Sequence, residues 1–262
     1  MGRGGASFPR LPARDRTVVL LSLAALTGLA WAYLAVLASG MDATAMSEAM
    51  LAPQMQAWSW PHFSMMAAMW AVMMVGMMVP SATPMILLYA RVNLRSGSGA
   101  SGYGRVAAFV SGYLLLWGGF SVAAALAQVG LEQLALLDPA SQKSGPVVGA
   151  LLLLGAGVYQ LTPLKHACLE HCRSPVGFIM QRWRHGSAGA LRMGLEHGLF
   201  CVGCCWVLML LLFAVGVMNL AWVAVIAALV LVEKLAPAGP LLGRLTGIGL
   251  LAAGGAMMLG SV

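Results

Sequence analysis

Cysteine and histidine are the residues of this chain whose spacing could do chemistry, and three of the five cysteines stand close together. Residues 196–206 read EHGLFCVGCCW within a long apolar run. On a helix, His197 and Cys201 stand one turn apart, and Cys204 and Cys205 follow two turns from His197, so imidazole and thiols share one stripe. Thiolate and imidazole suit a soft or borderline metal such as Cu(I) or Zn(II). The spacing therefore predicts a metal site on His197, Cys201, Cys204 and Cys205.

A simpler interpretation is that these cysteines only pack a helix interface, since free cysteine often behaves as a small buried hydrophobe. However, polar and ionisable side chains inside a membrane segment are costly and usually functional. We therefore favour metal binding. In that interpretation Glu196 is a supporting carboxylate that orients the imidazole of His197.

A second group of candidate ligands lies in residues 162–189, which follow the fourth apolar run and which we expect to form an inner loop. Residues 165–173 of this segment read KHACLEHCR. Cys168 and Cys172 stand one turn apart if this segment is helical, with His166 and His171 beside them. A cytosolic position would keep both thiols reduced, so we expect no structural disulfide here. The pair could approach the thiols of residues 201–205. The alternative is that the two thiols are exposed and have no role.

Methionine is the third candidate ligand type, with eight residues between positions 65 and 85. Four of them are spaced three or four residues apart, and this spacing predicts a ladder of thioethers on one helix face: Met66, Met69, Met73 and Met77. Thioethers bind Cu(I) and largely ignore harder ions, although methionine also serves simply to fill gaps between helices. Pro80 and Pro84 should kink or break this helix and free backbone carbonyl groups.

Composition sets the class of protein that must position these ligands. The 262 residues are 60% hydrophobic and 9% charged, against about a quarter charged in soluble domains. The net charge of +7 could suggest nucleic acid, but the basic residues fall in short segments between apolar runs. That distribution is typical of the positive-inside rule, so we expect a lipid bilayer and no nucleic acid as partner.

The apolar runs predict an all-α, polytopic transmembrane helical bundle of about seven spans. The predicted spans cover residues 17–39, 63–89, 103–129, 146–161, 190–215, 220–232 and 245–259. Residues 1–16 form a basic arm that we expect to be disordered, and residues 17–262 form one membrane domain. Every Lys and Arg except Lys143 then lies on one side, which predicts that the N-terminus is inside the cell.

Four motifs together resemble a known family. They are MWAVMMVGMMVPSATPM at 69–85, LTPLKHACLEHCRSP at 161–175, HGLFCVGCCW at 197–206, and GVMN at 216–219 with Glu233 and Lys234. This combination, spread over residues 63–234, resembles a bacterial family of predicted metal-binding integral membrane proteins. Its members are regarded as copper chaperones that help load copper oxidases such as tyrosinase-type polyphenol oxidases. The resemblance implies a multi-pass protein of the bacterial inner membrane that binds metal through these Cys, His and Met positions.

Two hypotheses follow. In the first, the protein is not an enzyme: it holds Cu(I), with zinc less favoured, on Cys, His and Met ligands and delivers it to a copper-dependent oxidase or a partner chaperone. A metal permease is a variant of this hypothesis. In the second, Cys201 and Cys204 form the Cys-x-x-Cys pair of a membrane thiol-disulfide oxidoreductase. The methionine ladder has no role in the second hypothesis, so we favour the first.

Overall fold

Helices account for nearly all of the described chain. The computed structural model describes residues 12–48, 59–94, 99–137, 143–217 and 219–260, and no strand occurs in these ranges beyond one isolated bridge between Leu137 and Ser144. The helices are α1 (Ala13–Glu48), α2 (Trp60–Leu94), α3 (Gly99–Gln133), α4 (Pro146–Gln160), α5 (Pro163–Arg173), α6 (Pro175–Arg182), α7 (Gly186–Leu210), α8 (Leu212–Val215), α9 (Leu220–Leu235) and α10 (Gly239–Gly260). The prediction of an all-α helical bundle is confirmed.

Helices occupy all seven predicted spans, but fewer of them are long enough to cross a membrane. Five described helical segments are long and apolar enough, and α4 and α5, which meet at 65°, could together make a sixth. The helix α9 has 16 residues, fewer than the roughly 20 that a span needs. Long apolar side chains remain exposed on the bundle surface, as Val36 and Leu29 do at 72% and 70%, which is compatible with a lipid environment.

Two segments differ from the sequence-based expectation. Helix α1 already begins at Ala13, while residues 1–11 of the predicted arm lie outside the described residues. The segment expected to be an inner loop at 162–189 is helical over most of its length. Thr162 starts α5 because its hydroxyl oxygen accepts a hydrogen bond from Lys165 N, and Pro163 occupies the first helical position, where its missing N–H is not needed.

The prolines of α2 do not break the helix, which runs from Trp60 to Leu94. Pro80 has no N–H to donate, so the carbonyl of Gly76 loses its usual partner four residues ahead. The indole Nε1 of Trp31 in α1 donates to that carbonyl at 3.2 Å. The prediction of a freed carbonyl is therefore confirmed at Gly76, and the freed group ties α1 to α2.

Glycines bring α3 and α7 into backbone contact. A Cβ on Gly112 of α3 would overlap the carbonyl oxygen of Leu191, and one on Gly194 of α7 would overlap that of Phe109. Gly198 follows one turn later and lies against Leu116. Small residues at such spacing let two apolar helices approach closely and gain packing energy. This contact places the middle of α3 beside the cysteines of α7.

A buried ion pair joins α5 to α9. Lys165 Nζ donates to Glu233 Oε2 at 2.6 Å, and both side chains are almost fully buried. Gln160 Nε2 donates to the other carboxylate oxygen at 2.9 Å, and Arg173 Nη1 donates to the backbone carbonyl of Glu233 at 2.6 Å. Removing one partner of such a pair leaves an uncompensated charge. Glu233 therefore fixes the position of α5 relative to the end of α9.

The close contact of α3 with α7 predicts a position-specific effect of adding one methyl group. Gly112→Ala should destabilise the protein by roughly 1–3 kcal/mol, because the new Cβ would overlap the backbone of Leu191. Gly118→Ala is the matched control on the same helix, since nothing lies within 4 Å of its Cβ position; it should be neutral or stabilising by up to about 1 kcal/mol. Thermal unfolding in detergent measures both, and equal melting temperatures would argue against the contact.

Candidate metal centre

Sulfur atoms from three helices meet in the interior of the bundle. The three cysteines of α7 in this cluster, Cys201, Cys204 and Cys205, are each 1% exposed. Helix α5 adds Cys172 and helix α2 adds Met78. We call these five residues the thiol cluster.

Cys201 lies beside a buried ammonium group. Its Sγ is 2.9 Å from Nζ of Lys234 in α9 and 3.1 Å from the hydroxyl of Tyr113 in α3. Lys234 also donates to the hydroxyl of Ser81 at 3.0 Å. A buried ammonium is very costly unless it is paired with an anion. Among the thiol of Cys201 and the hydroxyls of Tyr113 and Ser81, the thiol is the strongest acid, so its thiolate is the natural counter-ion of Lys234.

The remaining thiols lie within reach of each other. Cys172 Sγ is 3.9 Å from Cys204 Sγ, and Cys205 Sγ is 3.9 Å from the thioether of Met78. Two sulfurs bound to one metal ion at about 2.3 Å are themselves about 3.8 Å apart. The sulfur separations are therefore already close to those of two ligands that share an ion.

As arranged, the sulfurs do not surround one point. Across the part of the chain that the structure describes, no group of three or more His, Cys, Asp or Glu side chains is arranged to hold a metal ion. The thiols of Cys204 and Cys205 both donate to the carbonyl oxygen of Cys201, at 3.1 and 3.0 Å. A metal binds the thiolate, so both thiols would have to lose their protons and turn away from that carbonyl.

His197, one turn before Cys201, lies in an aromatic enclosure. Its ring is 3% exposed and stacks near Tyr113 and Phe109, with Phe178 packed edge-on at 5.5 Å between ring centroids. Its Nδ1 finds no hydrogen-bond partner among the described residues. Buried polar atoms normally have a hydrogen-bond partner, so an unpaired one needs a physical reason. A nitrogen that is free to bind a metal ion would supply that reason.

The other candidate ligands on α5 contact residues outside the thiol cluster. Cys168 packs against Gly203 of α7, and a Cβ on Gly203 would lie only 2.7 Å from the sulfur of Cys168. Nδ1 of His166 bonds to the carbonyl of Thr162 at 2.8 Å. The ring of His171 stacks on Phe200 at 4.1 Å. The close approach at Gly203 is nevertheless what brings α5, and with it Cys172, against α7.

The predicted methionine ladder is buried, but its contact with the thiols is made by a neighbouring residue. Met66, Met69, Met73 and Met77 are between 1% and 8% exposed. The thioether that touches a cysteine belongs to Met78, which lies one position beyond the predicted face. Sequence spacing alone did not favour Met78 over Met77.

Glu196 lies among arginines. Its carboxylate oxygens are 3.3–3.4 Å from the side-chain nitrogens of Arg182, Arg184 and Arg192. Neighbouring residues on a helix point about 100° apart, and Glu196 accordingly faces the basic segment before α7 while His197 faces the core. The structure brings it to these arginines and does not bring it to the imidazole.

Four residues of the centre were missed as site residues in the sequence: Met78, Tyr113, Ser81 and Lys234. Lys234 carried a signal, because it ends an apolar run in which a charge is costly. Tyr113 and Ser81 carried none, since a tyrosine or serine inside a helical span is common and only the helix packing shows which atoms it meets.

The family comparison points to copper. A family model described as a copper chaperone, PpoB2, matches residues 67–257. The matched region includes the cysteines of both motifs, Met69, Met73 and Met77 of the methionine ladder, and Lys234. Compared with curated proteins and with solved structures, the chain matches none of them.

The contact between Lys234 and Cys201 predicts an asymmetric pair of substitutions. Lys234→Met should be mild, because an unpaired cysteine can simply take up a proton. Cys201→Ser should destabilise the protein by roughly 2–3 kcal/mol, because the buried ammonium loses its anion. The lysine cannot cheaply become neutral instead, since removing its proton at pH 7 costs about 5 kcal/mol. The double variant should regain stability over Cys201→Ser alone. Unfolding in detergent measures all three proteins, and simple additivity of the two effects would contradict a thiolate–ammonium pair.

Proposed function

Because the chain belongs to the copper-chaperone family PpoB2, we propose that it binds Cu(I) at the thiol cluster and passes the ion to a copper-dependent oxidase or a partner chaperone. The ligands we propose are thiolates of Cys172, Cys201 and Cys204, with Cys205 and Met78 next to them. His197 lies one turn away and can enter the set by its unpaired nitrogen. The cargo is the metal itself, so no covalent chemistry is required of the chain.

The observation that carries this proposal is the convergence of four buried or partly buried thiols from α5 and α7. Thiolate and thioether ligands select Cu(I) over harder ions. Residues 162–173 were expected to be a loop, and their folding as a helix against α7 is what adds Cys172 to the three cysteines of the second motif. The thiol cluster thus draws on both motifs.

Charge balance also supports metal binding at these thiolates. One Cu(I) bound by the three proposed thiolates carries a net charge of −2, which is costly in an apolar interior. The ammonium of Lys234, 2.9 Å from Cys201 Sγ, offsets half of that charge. The same ammonium favours the thiolate that a metal requires, so Lys234 both prepares the ligand and compensates the complex.

One observation favours the competing thiol-disulfide function. Cys172 and Cys204 have sulfurs 3.9 Å apart, and a disulfide would need them about 2.0 Å apart, a change within reach of side-chain rotation. A redox function would not use Met78 or the methionines of α2. Oxidising the purified protein and mapping any disulfide by mass spectrometry separates the two functions, since a copper chaperone must keep these thiols reduced to bind its cargo.

The proposed ligand set predicts which cysteines matter. Cys172→Ser and Cys204→Ser should each lower Cu(I) affinity at least about tenfold, a loss of about 1.4 kcal/mol, because each removes a thiolate. Cys168→Ser is the matched comparison on α5, since Cys168 contacts Gly203 and lies one turn from Cys172; its effect should be smaller. Competition with a chromophoric Cu(I) chelator under reducing conditions measures the affinities. Equal losses at all three positions would remove the distinction between Cys168 and the thiol cluster.

The donor set also predicts metal preference. Protein purified from cells supplied with both copper and zinc should contain Cu(I) in preference to Zn(II), because thioether and thiolate ligands favour the softer ion. Elemental analysis under reducing conditions is the measurement. Stoichiometric zinc without copper would overturn the copper assignment and leave a metal centre of a different kind.

A further inference from the structure

We propose a second Cu(I) site at the N-terminal end of α2, formed by the imidazole of His62 and the thioethers of Met66 and Met69, with the carboxylate of Glu132 beside them. This site would receive the ion from the thiol cluster and present it to the acceptor. Delivery of the ion from the thiol cluster rests on the proposed function, whereas binding of Cu(I) at the second site can be tested without that function.

The first observation is a pair of polar residues that joins α2 to α3. His62 Nε2 lies 3.8 Å from Glu132 Oε2, and the two side chains are 21% and 26% exposed. The other carboxylate oxygen accepts from Gln128 at 3.3 Å, and Gln128 in turn accepts from the indole of Trp70 at 2.7 Å in the buried core. This chain of contacts holds the carboxylate in place. A carboxylate next to one ring nitrogen favours the proton there and leaves the other nitrogen able to bind a metal.

The second observation is the register of His62 with the methionines of α2. Positions 62, 66, 69, 73 and 77 are separated by three or four residues, so the imidazole and the four thioethers share one helix face. Met66 and Met69 are 5% and 8% exposed, whereas Met73 and Met77 are each 1% exposed. The stripe therefore runs from a partly exposed end into the buried interior.

The stripe ends one residue before the thioether that touches the thiol cluster. Its last member, Met77, is followed by Met78, which touches Cys205 and lies 16 positions after His62 on the same unbroken helix, or about 24 Å at 1.5 Å per residue. Successive side chains on one helix face are about 5–6 Å apart. An ion that moves between them would therefore pass from one thioether to the next in short steps.

The chemistry of the ligands changes along this stripe. At the thiol cluster Cu(I) would be held by thiolates, and at the second site by neutral thioether and imidazole groups, which bind it more weakly. The ion stays Cu(I) throughout: bonds to thiolate sulfur break, and bonds to thioether sulfur and imidazole nitrogen form. The thiols that released protons to the solvent when the ion bound take protons back when it leaves, and Cys201 remains a thiolate beside Lys234. Glu132 supplies the negative charge that offsets the arriving cation. A weaker, partly exposed site suits release to an acceptor.

The competing explanation is that these methionines only fill space between helices, since methionine is a flexible packing residue. That explanation accounts for the burial of Met73 and Met77. It does not account for an imidazole in register with the thioethers at the partly exposed end, with a carboxylate of α3 beside that imidazole. The two explanations differ in whether Cu(I) binding depends on His62.

The test uses the full chain with all five cysteines replaced by serine: Cys168, Cys172, Cys201, Cys204 and Cys205. This protein should retain one Cu(I) of lower affinity, measured by competition with a chromophoric chelator, and its X-ray absorption should show both sulfur and nitrogen ligands. Adding His62→Ala should lower that affinity at least tenfold, and adding Glu132→Gln should lower it less. His185→Ala is the control, because it removes an imidazole that lies at the start of α7.

Each outcome decides the proposal. No Cu(I) in the cysteine-free chain, or equal affinity in the His62→Ala and His185→Ala proteins, would overturn the second site. Should the cysteine-free chain not fold, the same comparison is made on the natural chain with the second equivalent of Cu(I), whose binding should depend on His62 and not on His185. Loss of strong binding in Cys201→Ser reports on the thiol cluster alone, so failure of the proposed function and failure of the second site give different results.

Discussion

Compensation of buried charge is the constraint on which this structure depends. Glu233 and Lys234 are adjacent in α9, and both are almost fully buried. Because they point in different directions from the helix, each needs its own partner of opposite charge. Glu233 meets Lys165 of α5, and Lys234 meets Cys201 of α7. The end of α9 therefore sets where both cysteine-bearing helices stand.

Close backbone packing makes these contacts possible. Gly112 and Gly194 let α3 approach α7, and Gly203 lets α5 approach α7 from another side. A larger residue at Gly112 or Gly194 would meet the backbone of the facing helix and push that helix away, whereas one at Gly203 would displace the Cys168 side chain. The glycines carry no chemistry, but they determine which polar atoms meet. In an apolar bundle, this is how ligands from separate helices reach one place.

The thiol cluster combines two properties that a carrier of Cu(I) needs. Buried sulfur ligands in an apolar interior exclude water and harder ions. At the same time the thiols of Cys204 and Cys205 donate hydrogen bonds to a backbone carbonyl, so these two groups are paired without a metal. The packing of these two thiols therefore does not depend on a bound ion, as that of a structural metal site would.

Composition and periodicity alone determined the class of this protein: an apolar, almost uncharged chain can satisfy its backbone in lipid only as helices. Residue chemistry also determined the soft character of the candidate ligands, since the sequence alone shows thiols and thioethers at helical spacing. Tertiary structure decided the rest. The register of α2 against α7 selected Met78 over Met77, the folding of residues 163–173 against α7 brought in Cys172, and the position of α9 placed Lys234 beside Cys201. None of these is a local property, because each depends on which faces of two distant helices are pressed together.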